Sequence, residues 1–197
     1  MLFCCNAIMI LSDRDIKKAI ADGRIKIDPI SDFETDLGPC SLDFQLGNTL
    51  RVFEYTKHPV IDPRKKELFD TLSREIVIPD GESFIIHPGE LIIAATAQWL
   101  ELSDDLVGRL EGRSSLGRIG VVVHSTAARF DPGWRGRPVL ELGNLGRIPV
   151  ALFPGMRICS FTFEELSSPA ETMYSKRASS KYVDQQGATA SKLADEL

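Results

Sequence analysis

The chain has 197 residues, of which 43% are hydrophobic and 26% are charged, and its formal net charge is −5. This size and composition are typical of one soluble globular domain with a substantial core. The negative net charge excludes a bulk attraction to nucleic acid or to an anionic membrane surface, so neither is expected as a partner.

The chain begins with a short apolar stretch, and residues 1–8 are expected to be an extension outside the fold. This stretch has no basic segment and is too short for a signal peptide or a membrane span. The four cysteines, Cys4, Cys5, Cys40 and Cys159, show neither zinc-ligand nor C-x-x-C redox spacing. Scattered thiols without a disulfide framework are typical of a reducing compartment, so the expected location is the cytoplasm.

A short N-terminal helix is predicted after residue 12. Ser12 is suited to the N-cap position, with Asp15 three residues later in place of the usual glutamate. Ile16 and Ile20 then lie on one face, and Gly23 provides a stop signal at the C-terminal end. The expected helix therefore packs one apolar face against the rest of the protein.

After Pro29 the chain becomes a series of short apolar runs separated by turn residues, among them a turn signal at Gly47-Asn48. Many short strands at such spacing predict a mainly β fold, a distorted β-barrel or jelly-roll-like sandwich, with residues 54–75 as a charged excursion. The predicted strands are Ser41–Leu46, Leu50–Phe53, Ile76–Ile78, Phe84–Ile86, Leu91–Ala95, Leu106–Leu110, Val121–His124, Val139–Leu142, Val150–Phe153 and Arg157–Phe163.

The segment Gly112–Arg118, which reads G-R-S-S-L-G-R, has the composition of a polyphosphate cradle. Its glycines let the backbone approach a ligand, Ser114 and Ser115 can donate hydrogen bonds, and two arginines supply positive charge. Residues 107–147 contain seven arginines, no lysine and only three acids. Two of those acids, Asp131 and Glu141, offer carboxylates for a sugar hydroxyl or an attacking water. The combination indicates a nucleoside triphosphate as ligand.

The polar tail from Ser167 onward has two interpretations on composition alone. It is either a frayed terminus or a mobile arm that folds over an anionic ligand. In the second interpretation Lys181 binds phosphate, and Tyr174 and Tyr182 contact the sugar or the base.

Five motifs in order carry a family resemblance: G-R-S-S-L-G-R, H-S-T-A-A-R-F-D-P-G-W, L-E-L-G-N, P-G-M-R-I and S-K-Y-x-x-Q-x-G. Together they closely resemble the dCTP deaminases of the dUTPase superfamily, from about Met9 to Ser191. The resemblance implies a dUTPase-type β-barrel over residues 9–166, a C-terminal arm over 167–197, and a homotrimer with active sites at subunit interfaces. It also implies hydrolytic deamination of dCTP to dUTP and ammonia.

No zinc is expected in this reaction. Zinc deaminases need H-x-E and P-C-x-x-C motifs to hold the metal that ionises water. His58, His87 and His124 are not followed by glutamate at the required position, and the chain has no C-x-x-C. An organic base is therefore expected at the cytosine, while Mg²⁺ is expected on the triphosphate oxygens rather than in a protein cage.

The resemblance implies that Glu141 is this base and takes a proton from the water that attacks C4 of cytosine. For that role we expect its pKa to be raised by burial among Leu140 and Leu142. The alternative is a barrel carboxylate paired with a nearby arginine. Ser114 and Arg118 are implied as catalytic partners that order the water and stabilise charge.

The remaining implied site residues bind substrate. Arg113 and Ser115 resemble triphosphate ligands that reach a neighbouring subunit, Asp131 resembles the acceptor for the deoxyribose 3′-hydroxyl, and Lys181 and Gln185 resemble phosphate ligands. For Asp131 the alternative is a purely structural Asp-Pro-Gly turn. For His124, a further substrate-binding candidate, the alternative is a purely structural histidine. The other substrate-binding candidates are His124, Ala127, Arg129, Trp134, Tyr174 and Tyr182.

Three alternatives to a deaminase-only enzyme stay open. A bifunctional enzyme would deaminate dCTP and also hydrolyse dUTP to dUMP and diphosphate. Residues 125–127 look like some bifunctional members, whereas Arg129 and the following F-D-P-G-W resemble deaminase-only members, which we favour. A plain dUTPase lacks support because its C-terminal glycine-rich arginine motif is missing, and a non-catalytic nucleotide sensor would be expected to have lost Glu141. Inhibition by dTTP is left open.

Overall fold

The structure is a computed structural model that describes residues 9–30, 32–54, 60–65, 68 and 71–196. The predicted extension 1–8 lies outside the described residues. The predicted N-terminal helix is confirmed as α1 (Asp13–Ala21), where Ser12 Oγ accepts a hydrogen bond from the Asp15 amide at 3.4 Å. Gly23 follows with a φ of +75°, a conformation that favours glycine at a helix end.

Strands make up most of the regular structure in the described part of the chain. The short α-helices α2 (Phe33–Asp36) and α3 (Ser114–Gly117) lie between them, and 3-10 turns lie at Tyr174–Lys176 and Leu193–Glu196. The strands are β1 (Ile25–Asp28), β2 (Leu42–Phe53), β3 (Ser73–Val77), β4 (Phe84–Ile86), β5 (Leu91–Thr96), β6 (Trp99–Leu102), β7 (Leu106–Gly112), β8 (Val121–Val123), β9 (Arg129–Phe130), β10 (Arg135–Gly136), β11 (Val139–Asn144), β12 (Val150–Leu152) and β13 (Arg157–Glu165).

A large curled sheet with the order β8-β11-β5-β2-β13-β7-β9 forms a half-barrel, and β3 adds to it by pairing with β2. A second sheet has the order β1-β6-β10, and β12 pairs with β4. The strand pairings are antiparallel. The predicted mainly β, dUTPase-type fold class is therefore confirmed.

Aromatic side chains link the core to the region beyond β9. Phe44 and Phe161 have ring centroids 4.7 Å apart, and Phe130 lies 5.0 Å from Phe161. Trp134 meets Phe130 edge-on at 4.7 Å and is only 5% exposed. Because edge-to-face aromatic pairs fix ring orientation, this chain of contacts holds the 129–134 segment rigidly on the barrel.

The turn predicted at Gly47-Asn48 is wrong, because β2 continues through it without a break. The pairing of β2 with β5 instead shifts register between Leu46 and Leu50, so the two residues form an irregularity inside the strand. A Cβ at Gly47 would lie 2.9 Å from the Ala95 carbonyl oxygen, which explains why glycine stands there.

The predicted excursion over residues 54–75 is only partly right. Ser73–Val77 forms β3 and pairs with β2, so the last part belongs to the large sheet. Residues 55–59, 66, 67, 69 and 70 lie outside the described part of the chain. The sequence also did not predict β1, β6, β9, β10, α2 or α3, which are four to two residues long and carry little periodicity.

The tail folds back along the barrel. Gln185 forms a parallel bridge to Gly136, and the Asp184 amide donates to the Arg135 carbonyl at 2.9 Å. Gly133 lies so close to Met173 that a Cβ on Gly133 would sit 2.5 Å from the methionine Cβ. This part of the tail is thus packed against β10 and the turn before it. Over the described ranges, we find no helix with the length and hydropathy to cross a membrane.

Candidate active site

A cavity of about 450 Å³ lies between β11, residues 124–134 and the C-terminal tail, and it has a size typical of small-molecule sites. Nine of the fourteen residues implied by the sequence line it. These nine are His124, Ala127, Arg129, Asp131, Trp134, Glu141, Tyr174, Tyr182 and Gln185.

Strand β11 presents Glu141 to the cavity because side chains alternate between the two faces of a strand. Leu140 and Leu142 are fully buried and face the core, whereas Val139 and Glu141 line the cavity. The expected burial of Glu141 among Leu140 and Leu142 is therefore wrong, since those leucines lie on the opposite face.

His124 is held directly against Glu141. The chain leaves β8 at His124 with a φ of +62°, and the His124 amide donates to the Glu141 carbonyl at 2.9 Å. The ring is 6% exposed, with Nε2 at 2.8 Å from the Ala127 carbonyl oxygen and Nδ1 at 3.0 Å from Glu141 Oε2. A non-glycine residue with positive φ is uncommon, and such strain concentrates at functional sites.

The pKa values of His124 and Glu141 are shifted in opposite directions. Burial lowers the pKa of His124, but its contacts with Glu141 and the Ala127 carbonyl outweigh burial and raise it above 6.5. Burial raises the pKa of Glu141, but His124 and the Ser125 amide outweigh burial and lower it below 4.5. The expectation of a raised Glu141 pKa is wrong, because a buried partner of opposite charge overcomes desolvation.

The hydrogen-bond partners of the His124 ring limit where its protons can lie. A carbonyl oxygen can only accept, so His124 Nε2 must carry a proton toward Ala127. Nδ1 and Glu141 Oε2 then need one proton between them. Their contact is close but poorly aligned for a hydrogen bond, and neither atom has another partner among the described residues. The pair thus presents the Glu141 carboxyl group to the cavity directly beside the His124 ring.

The His124–Glu141 pair predicts a pH-dependent stability. Because the folded-state pKa of His124 is raised, its contribution is complete below 6.5 and is lost as pH rises through the folded value. The contribution of Glu141 is present above 4.5 and is lost as pH falls through its lowered folded value. We expect His124→Asn to flatten the fall in unfolding free energy as pH rises above 6.5, measured by urea denaturation.

His87→Asn is the matched control for this experiment, since His87 is exposed and lies outside the cavity. It should keep the wild-type pH profile. A His124→Asn profile that parallels the wild type would contradict the assigned ion pair.

Asp131 and its neighbours form the wall beside β9. Arg129 Nε donates to Asp131 Oδ1 at 2.8 Å, and the Asp131 side chain is 30% exposed at the cavity. The Trp134 indole lines the cavity next to them. This wall therefore offers an acceptor carboxylate beside an apolar aromatic surface.

The tail supplies the opposite wall. Tyr174 Oη accepts a hydrogen bond from the Tyr182 amide at 3.3 Å, and Gln185 Nε2 donates to the Arg137 carbonyl at 3.0 Å. Gln185 Oε1 is buried and has no hydrogen-bond partner among the described residues. Buried orphan acceptors are rare, so Gln185 marks a position where a ligand donor can bind.

Lys181 lies near this wall but does not line the cavity. Its Nζ contacts Glu196 Oε1 at 2.5 Å and lies 5.6 Å from the Tyr182 ring centroid. A phosphate would have to replace the Glu196 carboxylate to use this lysine.

The G-R-S-S-L-G-R segment is the part of the implied site that the chain does not bring to the cavity. Ser114, Ser115 and Arg118 are exposed on and after α3, at the far end of β8 from His124. Arg113 contacts Asp43 instead. Arg118 borders a separate groove of about 790 Å³ together with Ile148.

Several lining residues were not implied by the sequence, among them Ile93 and Val139. Val139 stands two residues before Glu141, so strand alternation could have identified it. Ile93 is the register partner of Glu141 on β5, a relationship that only the strand pairing reveals. Thr189, Ala190 and Ser191 also line the cavity and carry no motif.

Over the described ranges, no three His, Cys, Asp or Glu side chains cluster closely enough to hold a metal ion. The nearest acids to the cavity, Asp131 and Glu141, are each engaged by a cationic side chain. The described donor set therefore fits a metal that arrives with an anionic ligand better than a metal caged by the protein.

Comparisons with known proteins place this chain in a family. The family model of DCD, dCTP deaminase-like, matches residues 10–166. A dCTP deaminase of Thermomicrobium roseum is 57% identical over 189 residues, which are 96% of either chain. A dUMP-forming dCTP deaminase of Dictyoglomus thermophilum is 49% identical over 185 residues, 94% of this chain and 95% of the relative.

A solved structure agrees with the fold. The crystal structure of 2′-deoxycytidine 5′-triphosphate deaminase from Agrobacterium tumefaciens matches with a TM-score of 0.63 at 20% identity, over 81% of this chain and 49% of that chain. This likeness shows that the two proteins share the mainly β fold. The chain belongs to the dCTP deaminase-like family.

Proposed function

We propose that the protein catalyses hydrolytic deamination of dCTP to dUTP and ammonia. One observation carries the proposal: the Glu141 side chain lines a cavity of about 450 Å³, and His124 Nδ1 lies 3.0 Å from Glu141 Oε2. A base must be unprotonated to accept a proton, and the lowered pKa of Glu141 meets that requirement at neutral pH. The sequence similarity to named dCTP deaminases supplies the substrate class.

The reaction needs one water and no net proton. Glu141 takes a proton from water as the oxygen attacks C4 of cytosine and a tetrahedral centre forms. The same carboxyl delivers that proton to N3 of the ring, then takes the proton of the new C4 hydroxyl and passes it to the amino nitrogen. The C4–N bond breaks, and ammonia leaves as the C4 carbonyl forms. His124, with Nδ1 at 3.0 Å from Glu141 Oε2, keeps the carboxyl group oriented through these steps.

The cavity walls suit the rest of the nucleotide. Asp131 accepts from the deoxyribose 3′-hydroxyl, and Trp134 packs beside the sugar. Residues 125–128 turn backbone groups toward the base edge, while Arg129 lies toward the phosphates. Tyr182 covers the sugar and base. Lys181 and the second N–H of the Gln185 amide bind the triphosphate, which brings Mg²⁺ on its own oxygens.

A second copy of the chain completes the site in this proposal. Ser114, Ser115 and Arg118 are exposed polar groups with no hydrogen-bond partner for their side chains among the described residues. Beside them Ile119 and Ile148 are 53% and 75% exposed, and exposed apolar surface of this kind marks contact sites. We propose a cytoplasmic homotrimer in which α3 of one subunit reaches the cavity of its neighbour.

The second candidate function is the bifunctional reaction that ends at dUMP and diphosphate. It is favoured by the names of several relatives, among them the dUMP-forming dCTP deaminases of Dictyoglomus thermophilum and of Halobacterium salinarum, the latter 46% identical over 185 residues. The most similar of the relatives described above carries the name dCTP deaminase alone.

A product assay separates the two. We expect purified protein with dCTP and Mg²⁺ to release ammonia and to accumulate dUTP in equal amounts, resolved by chromatography. Ammonia with dUMP and diphosphate, and little free dUTP, would establish the bifunctional enzyme instead. Binding of dCTP without any product would support a nucleotide sensor and refute both reactions.

A further inference from the structure

A charged cluster lies where β2 and β13 meet the start of α3, away from the cavity. Asp43 Oδ2 contacts Arg113 Nη1 at 2.5 Å and lies 3.7 Å from Arg157 Nη1. The Asp43 and Arg113 side chains are only 18% and 24% exposed. Water therefore screens this pair less than it screens a surface ion pair.

The sheet holds Asp43 in a fixed position. Asp43 on β2 is in register with Ser160 on β13, which is in register with Glu111 on β7. Arg157 is itself anchored, since its Nη1 donates to the Thr35 carbonyl at 2.7 Å. Asp43 thus stands on one of the central strands of the large sheet.

The carboxylate has few other contacts. Ser160 Oγ is buried and has no hydrogen-bond partner among the described residues, so it does not bind Asp43. The described polar partners of the Asp43 side chain are therefore Arg113 and Arg157. Without the Asp43 carboxylate, the guanidinium groups of Arg113 and Arg157 would have no negative charge between them.

Arg113 keeps most of its donors available. A guanidinium carries five N–H donors in a fixed planar fork, and Asp43 engages the fork at Nη1. Arg113 makes no other side-chain hydrogen bond among the described residues. It also directly precedes α3, where Ser114 and Ser115 are exposed. Because Asp43 fixes the Arg113 guanidinium at Nη1, the other N–H donors of that group point in a defined direction.

We propose that Asp43 is the positioning residue for triphosphate recognition, holding Arg113 so that the free donors of its guanidinium meet the phosphates. The inference rests on the proposed function, in which Arg113 binds the triphosphate of a nucleotide in the neighbouring subunit. Asp43 never touches the nucleotide. It acts by sparing Arg113 the cost of becoming ordered when the ligand binds.

The test is Asp43→Asn, which keeps the shape of the side chain and removes its charge. We expect the KM for dCTP to rise about tenfold, the size of one lost charge-assisted hydrogen bond, while kcat stays within about twofold. The affinity for dCMP, which lacks the outer phosphates, should not change when measured by calorimetry. A general structural defect would weaken dCMP as well.

Two further variants sharpen the result. Glu164→Gln removes a comparable ion pair on β7 and β13, Arg109 Nε to Glu164 Oε1 at 2.6 Å, and should leave KM unchanged. In an Arg113→Ala background, Asp43→Asn should add no further loss, because the two residues act as a unit.

An unchanged KM in Asp43→Asn would overturn the inference, since it would show that the carboxylate does not help Arg113 to bind phosphate. A lower KM would also overturn it, since it would show that the carboxylate repels phosphate. Equal losses for dCTP and dCMP, or additive losses with Arg113→Ala, would also overturn it. If the wild-type protein neither binds nor deaminates dCTP, the proposed function itself is refuted, and the inference with it.

Discussion

Glu141→Gln is expected to lower kcat for dCTP deamination by about a thousandfold or more, with dCTP binding retained. Glutamine fills the same space on β11 but cannot accept a proton from water. Ammonia release measures the loss, and calorimetric titration with dCTP measures binding. This is the largest effect expected from a single substitution because no other described carboxylate beside the cavity faces His124.

The control for Glu141→Gln is the same substitution at a carboxylate outside the cavity. Glu101→Gln removes the partner of Lys26 on the outer face of β6, at 2.9 Å, and should leave activity unchanged. Thermal unfolding shows whether each variant is folded. Wild-type activity in folded Glu141→Gln would refute the assignment of the base.

Mixing two inactive variants is expected to restore activity. Arg118→Ala and Glu141→Gln should each form nearly inactive homotrimers, because one lacks the α3 group and the other lacks the base. In a mixed trimer, one of the three sites takes an intact Glu141 from one subunit and an intact Arg118 from its neighbour. Co-expression with two different tags, followed by tandem purification, isolates the mixed trimers for the ammonia assay.

The control pairs two variants of the same segment. Ser114→Ala mixed with Arg118→Ala should stay inactive, because every α3 then lacks one of its two groups. Absence of rescue in the first mixture, with both variants folded and mixed trimers isolated, would show that the site is not shared between subunits.

Strand alternation and turn residues were enough to predict most of the sheet. The predicted strand Val139–Leu142, for example, is the start of β11, and its alternation already separates Glu141 from the leucines beside it. The predicted break at Gly47 failed because glycine is used there for a close approach to Ala95, not for a turn. Local sequence cannot distinguish these two uses of glycine.

Nine of the fourteen residues implied by the sequence line the cavity, and the electrostatics of the Glu141 side chain were not predicted. The motif residues around Asp131 and Trp134 do share one cavity with Glu141, as the family resemblance implied. The lowered pKa of Glu141 was missed because it depends on β8 pairing with β11, which brings His124 beside the carboxylate. A pairing between strands that are distant in sequence leaves no mark in either strand alone.

The role inferred for Asp43 was beyond sequence reasoning for the same reason. Asp43 precedes Arg113 by seventy residues, and β13 must lie between their strands before the two side chains can meet. The predicted strand Ser41–Leu46 contains Asp43 and gave no indication of the arginine.

The position of β13 also shapes how the chain is made. β13 joins β2 to β7, yet it is the last strand of the sheet to be synthesised, and the Leu11 amide at the start of the chain bonds to the Phe163 carbonyl within it at 2.8 Å. Until residues 157–165 leave the ribosome, β2 and β7 each keep one unpaired edge. Such edges invite pairing with other chains. Newly made protein is thus vulnerable to aggregation through most of translation, and completing one late strand closes the sheet in a single step.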